Sequence, residues 1–96
     1  MSYGYTGSMK TTPGNRQAVI DILLSGVDHL RAVGCHACIV CEGEEDEIVV
    51  FEVWESKQHD DSLQFPEVRE QISNAMPMLS GEFSGRELSV RGGLGA

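Results

Sequence analysis

An α+β fold of the split βαβ, ferredoxin-like kind, an antiparallel sheet with both helices packed on one side, is predicted by three features of this 96-residue chain. Apolar residues recur with helical period in two separate segments. Runs rich in β-branched and aromatic residues occupy four others, giving the order β-α-β-β-α-β. Strand three is apolar on both faces, which calls for a cover on each. The length suits one domain over 1–96, with a core of about 3–91 and a loose or partner-clasping tail at 92–96.

Strand one is Tyr3 to Thr12, YGYTGSMKTT, whose Gly4 and Gly7 suggest that something approaches the backbone closely. Pro13-Gly14-Asn15 makes a turn. Val19, Ile22, Leu23, Val27 and Leu30 then recur at spacings of three and four, predicting one amphipathic helix to about Ala32, stopped by Gly34. The stretch GCHACIVC follows as strand two and runs into the acidic turn Glu42 to Glu47. Ile48 to Glu55, IVVFEVWE, is the returning strand of a hairpin. Ser56 can cap a short helical turn through SKQHDDSLQF. Pro66 and Glu67 open the second long helix, with proline at its first position and an acid near its positive end. Val68, Ile72, Ala75, Met76 and Leu79 mark its buried stripe. Pro77 costs an interior hydrogen bond, so that helix bends or frays in its last turn before Gly81 ends it. Glu82 to Arg91 is strand four.

In strand three, Val49, Phe51 and Val53 form one apolar face, expected under the helices. The opposite face, Ile48, Val50, Glu52 and Trp54, is also too apolar for water, and a second subunit packed sheet against sheet would bury it.

The net charge of -8, with seven basic residues scattered among fifteen acids, excludes a nucleic-acid surface. There is no basic start followed by an apolar run and no stretch of roughly 20 apolar residues, so the chain reads as a soluble, cytoplasmic protein with no membrane partner. Its three cysteines fit reduced thiols. On a strand, Cys35 and Cys41 share one face and His36 and Cys38 the other, with Cys35 and Cys41 about 20 Å apart at ~3.3 Å per residue. Zinc ligands converge within about 2.3 Å of one ion, so no metal is expected here. The cysteines read as small half-buried strand fillers. The acidic hairpin lacks the spaced ligands of a calcium loop and reads as a solvated turn.

From Phe51 to Val68, FEVWESKQHDDSLQFPEV resembles the antibiotic biosynthesis monooxygenase family, small dimeric α+β barrels that include cofactor-independent quinol and anthrone monooxygenases. The resemblance extends to the opening strand with Pro13-Gly14, to Gly34-Cys35 before strand two, and to Glu52-x-Trp54 before Ser56. It implies a homodimer whose two sheets close a barrel. It also implies a pocket in each protomer between sheet and helices, holding a small aromatic quinol- or anthrone-like substrate that reacts with O2 without cofactor. Two departures stand out. Where many members carry an AHL-like histidine, this chain reads Asp61-Ser62-Leu63, and His59 instead resembles a branch with SHDxSL. The haem-degrading branch uses an Asn, Trp and His set; here the region of its tryptophan holds Ser62-Leu63 and that of its histidine holds residues near Ser73, so haem degradation is not expected.

Oxygenation without a cofactor needs an apolar pocket and a base. His59 is the candidate base, since an imidazole of pKa ~6.5 suits proton abstraction at neutral pH. Its structural alternative is a solvated histidine beside Asp60 and Asp61, which would favour its protonated form. Glu52 is a candidate to orient a substrate hydroxyl or take part in proton transfer. Its structural alternative is an ion pair with Arg86, Arg69 or the other subunit. Trp54, Phe65 and Met76 are candidate walls for a flat ring, with core packing as the alternative for Trp54 and Met76. The rival to the enzyme is a non-catalytic dimer that binds a small hydrophobic molecule in the same pocket.

Overall fold

The computed structural model describes residues 2–56 and 64–94. The elements in chain order are β1 (Tyr3–Thr11), α1 (Arg16–Ser25), α2 (Val27–Ala32), β2 (Cys35–Glu42), β3 (Glu47–Trp54), α3 (Pro66–Ala75), a 3-10 turn (Met76–Met78) and β4 (Leu79–Ser89). The four strands form one antiparallel sheet in the order β2-β3-β1-β4, the ferredoxin-like arrangement that the sequence predicts. Among the described residues no helix is long and apolar enough to cross a membrane.

β1 is one of the two inner strands and decides which face meets the helices. Its odd positions carry Tyr3, Tyr5 and Met9, while its even positions carry only Gly4, Thr6, Ser8 and Lys10. Register pairs Tyr3 with Trp54, Tyr5 with Glu52 and Met9 with Ile48, and directly paired residues project from the same face. Ile48 and Val50 therefore lie under the helices with Val19, Ile20 and Ala75, and Trp54 is buried with Tyr3 and Cys35. This reverses the face expected for β3. Val49, Phe51 and Val53 line the open side, where Phe51 is 47% exposed and Ile39 of β2 is 56% exposed. The sheet's helix side, not its hydrophobicity alone, is set by the bulk on β1. Fully burying Ile48 or Val19 is worth about 1.5–3 kcal/mol each.

The first helical segment is not one helix. It breaks at Gly26, where a Cβ would overlap the Gln71 amide. Gln71 reaches from α3 to donate through Nε2 to the Ile22 carbonyl at 3.1 Å, taking up an acceptor that the break leaves without a helical partner. Gly34 ends α2 at φ +104°, a left-handed conformation that favours glycine.

β2 also departs from simple alternation. A bulge between Cys35 and Ala37 leaves His36 unpaired, so Cys35 opposite Trp54 and Cys38 opposite Glu52 both face the helices. Cys41, opposite Val49, faces the open side. The expected sharing of one face by Cys35 and Cys41 is thereby overturned. The acidic tract closes the β2–β3 hairpin as expected: Glu47 donates its N–H to the Glu44 carbonyl at 3.0 Å, and Arg16 donates to that same carbonyl at 2.9 Å.

Pro66 occupies the first position of α3. That helix ends at Ala75, ahead of Pro77, and the Met76–Met78 turn delivers the chain directly into β4. β4 thus starts at Leu79 rather than at residue 82. Gly81 lies within it at φ +93°, beside the shift in β1–β4 register between Met9 and Thr11, instead of ending the helix.

Candidate functional site

The apolar stripe of α3 enters the core only at Ala75. Val68, Ile72, Ala75, Met76 and Leu79 all border a half-open cavity of about 600 Å³ between the helices and the helix side of the sheet. Ile72 is 41% and Met76 50% exposed because they face this space. Leu23 and Leu30 come from the other helices, and Val50, Phe83 and Tyr5 from the sheet. A cavity of this size and apolar character suits a small organic ligand.

Polar groups reach it at a few points. Register places Tyr5 between Glu52 on β3 and Glu87 on β4, in one row across the helix side, and all three border the cavity. Trp54 Nε1 donates to Glu52 Oε1 at 2.7 Å. That bond holds the carboxylate in a surrounding where an unpartnered charge would be costly. Arg86, proposed from sequence as an ionic partner for Glu52, pairs with Thr6 and so projects from the opposite face.

Cys38 borders the cavity next to Glu52. Burial pushes its thiol up to about 12, with the Glu52 carboxylate and Cys35 adding in the same direction. Cys35 is raised as well, chiefly by burial and then by Glu52, and its thiol donates to the Ala37 carbonyl at 3.1 Å. Both therefore stay protonated at neutral pH, Cys38 as part of the cavity wall and Cys35 buried behind it with Tyr3 and Trp54. Among the described residues no three His, Cys, Asp or Glu side chains converge as a metal site.

The sequence-derived candidates divide accordingly. Glu52 and Met76 border the cavity. Trp54 is fully buried behind it, among Tyr3, Cys35 and Leu30, and reaches the site through its hydrogen bond to Glu52. Phe65 sits at the N-terminal end of α3 and is not part of the lining. His59 lies outside the described residues. Tyr5, Gln71, Cys38 and Glu87 were not anticipated. Cross-strand register alone brings Tyr5 and Glu87 to Glu52, and a register is not written in any single strand.

Comparison with known proteins gives a consistent picture. The antibiotic biosynthesis monooxygenase family model matches residues 3–72. A candidate antibiotic biosynthesis monooxygenase from Chloroflexus aurantiacus J-10-fl is 31% identical, with 98% of this chain and 99% of that one covered and a TM-score of 0.78. A Mycobacterium tuberculosis protein at 18% identity (98% and 99% covered, TM-score 0.81) shares the fold. So does a candidate family member from Caulobacter crescentus CB15 at 15% identity (93% and 89% covered, TM-score 0.83). No match is found among curated proteins.

Proposed function

Because the chain belongs to the antibiotic biosynthesis monooxygenase family, we propose that it oxygenates a small, flat quinol- or anthrone-like substrate with O2 in the cavity between sheet and helices, with no metal or flavin. The observation that carries this reading is the Glu52 carboxylate, oriented by Trp54 and bordering an otherwise largely apolar space. Such a site can accept a hydroxyl hydrogen while apolar walls and the Met76 thioether hold a ring.

For an anthrone-like methylene the chemistry balances as follows. A base removes one proton, and the resulting anion passes an electron to O2. The substrate radical and superoxide combine at the ring carbon, and the peroxide takes a proton. Loss of water with the carbon's second hydrogen leaves a carbonyl, so one oxygen atom ends in product and the other in water. His59 is the proposed base, and Glu52 the group that orients the hydroxyl or shares the proton.

The open sheet face supports a second part of the proposal, a homodimer. Phe51, Ile39, Val49 and Val53 form an apolar surface over which no helix lies among the described residues, and a second copy of the chain packed sheet to sheet would cover it.

A second reading is a binding protein that uses the same cavity. It is favoured by the Trp54 hydrogen bond, which engages Glu52 Oε1 as a fixed acceptor suited to holding a hydroxyl without chemistry.

Oxygen uptake by metal-stripped protein with a panel of quinols and anthrones, beside His59→Ala and Glu52→Gln, separates these. Uptake above autoxidation that falls ten-fold or more in His59→Ala, about 1.4 kcal/mol of barrier, supports the oxygenase with His59 as base. Loss confined to Glu52→Gln moves the proton transfer to Glu52. No uptake, with a raised melting temperature in the presence of the same compounds, establishes the binding protein.

A further inference from the structure

The cavity floor is built on a pair of facing glycines. Register sets Gly7 of β1 directly opposite Gly85 of β4, and both are on the helix side with Tyr5. No side chain rises from the sheet at either point, and the Tyr5 phenol fills the space. A Cβ on Gly7 would stand 2.9 Å from Tyr5 Oη and 3.0 Å from Cε1, while one on Gly85 would overlap Oη and stand 3.2 Å from Cε2. Opposite edges of the ring thus meet the two glycines, so the ring straddles them and lies down against the sheet.

We infer that Gly7 and Gly85 are specificity-determining residues, because they let Tyr5 serve as a flat floor on which a fused-ring substrate stacks. This rests on the cavity being the binding site proposed above. A void of about 150 Å³ admits benzene. A cavity of about 600 Å³ therefore has room for several fused rings, provided that Tyr5 stays down. Beneath the ring is main chain, which cannot yield, so a methyl group at residue 85 drives the phenol upward into the ligand space. The result is a site still open to one ring and closed to three. Offset stacking on a tyrosine also favours larger π-surfaces.

The test is equilibrium binding, under nitrogen, of phenol, 2-naphthol and 2-anthrol. The expected order for the parent protein is tightening with ring number. Gly85→Ala weakens 2-anthrol at least ten-fold and leaves phenol within about two-fold. Adding Tyr5→Ala to Gly85→Ala returns 2-anthrol to within about three-fold of the Tyr5→Ala single variant, because the displaced ring is gone. Gly7→Ala repeats the experiment with a milder contact should Gly85→Ala not fold. Equal weakening of all three ligands, or none, overturns the size gate and leaves the cavity as the binding site. Failure of the parent protein to bind any of them overturns both this inference and the proposed function.

Discussion

Trp54 Nε1 and Glu52 Oε1 stand 2.7 Å apart, joining a fully buried indole to a carboxylate at the cavity wall two residues back along β3. Trp54→Phe keeps most of the packing and removes the donor. Its expected cost is about 2–4 kcal/mol, a charge-assisted hydrogen bond plus part of the indole volume. Urea unfolding measures it. A loss below about 1 kcal/mol would mean that Glu52 draws little support from the indole.

The two faces of β3 are expected to respond oppositely to the same charge. Ile48→Asp puts an unpaired carboxylate among Val19, Ile20 and Ala75 and should cost more than about 4 kcal/mol, enough to prevent folding. Phe51→Asp, on the open side, should leave the fold intact and release a particle of 10.5 kDa from the proposed dimer. Circular dichroism and sedimentation read the two effects separately. A folded Ile48→Asp beside an unfolded Phe51→Asp would invert the sheet assignment.

Cys38 gives stability a pH dependence in the alkaline range. Its folded value of about 12 lies above the ordinary 9.0, so the native state holds a proton that the unfolded chain releases first. The stabilisation is fully present below pH 9 and is lost as pH rises toward 12. Cys35 is shifted in the same direction. Cys38→Ala should therefore flatten, without abolishing, the fall in unfolding free energy between pH 7.5 and 10.5. An unchanged slope would show that the Cys38 thiol is not desolvated.

Gly26 should reverse the usual helix rule. Gly26→Ala improves intrinsic propensity by about 1 kcal/mol, yet its methyl overlaps Gln71, so a net loss of about 1–3 kcal/mol is expected. In a Gln71→Ala background the same change should become neutral or stabilising. Additive effects in that double-mutant cycle would rule out the steric coupling.

The element order, the hairpin, the proline start of α3 and the family resemblance were all legible in the residues, because each rests on local periodicity or turn chemistry. The facing of the sheet was not. β3 is apolar on both sides, and the decision comes from Tyr3, Tyr5 and Met9 on β1, far away in sequence. The bulge at His36 and the break at Gly26 escape for a related reason: each answers to a partner from another element, Trp54 in one case and Gln71 in the other. At the site, Glu52 was noticeable as a charge in an apolar strand. Tyr5 was not, since an aromatic in a strand looks like core until its glycine seat is seen.

The inner position of β1 has a consequence for how the chain acquires its shape. The earliest strand is flanked by residues 47–54 on one edge and 79–89 on the other, with Tyr3 opposite Ser89. β1 has no partner on one edge until residues 47–54 are in place, and none on the other until residues 79–89 are. Folding is therefore expected to be slower than in a helical bundle of equal length, which stopped-flow refolding would time. During that wait the apolar segments of β2 and β3 are the ones a chaperone would meet first.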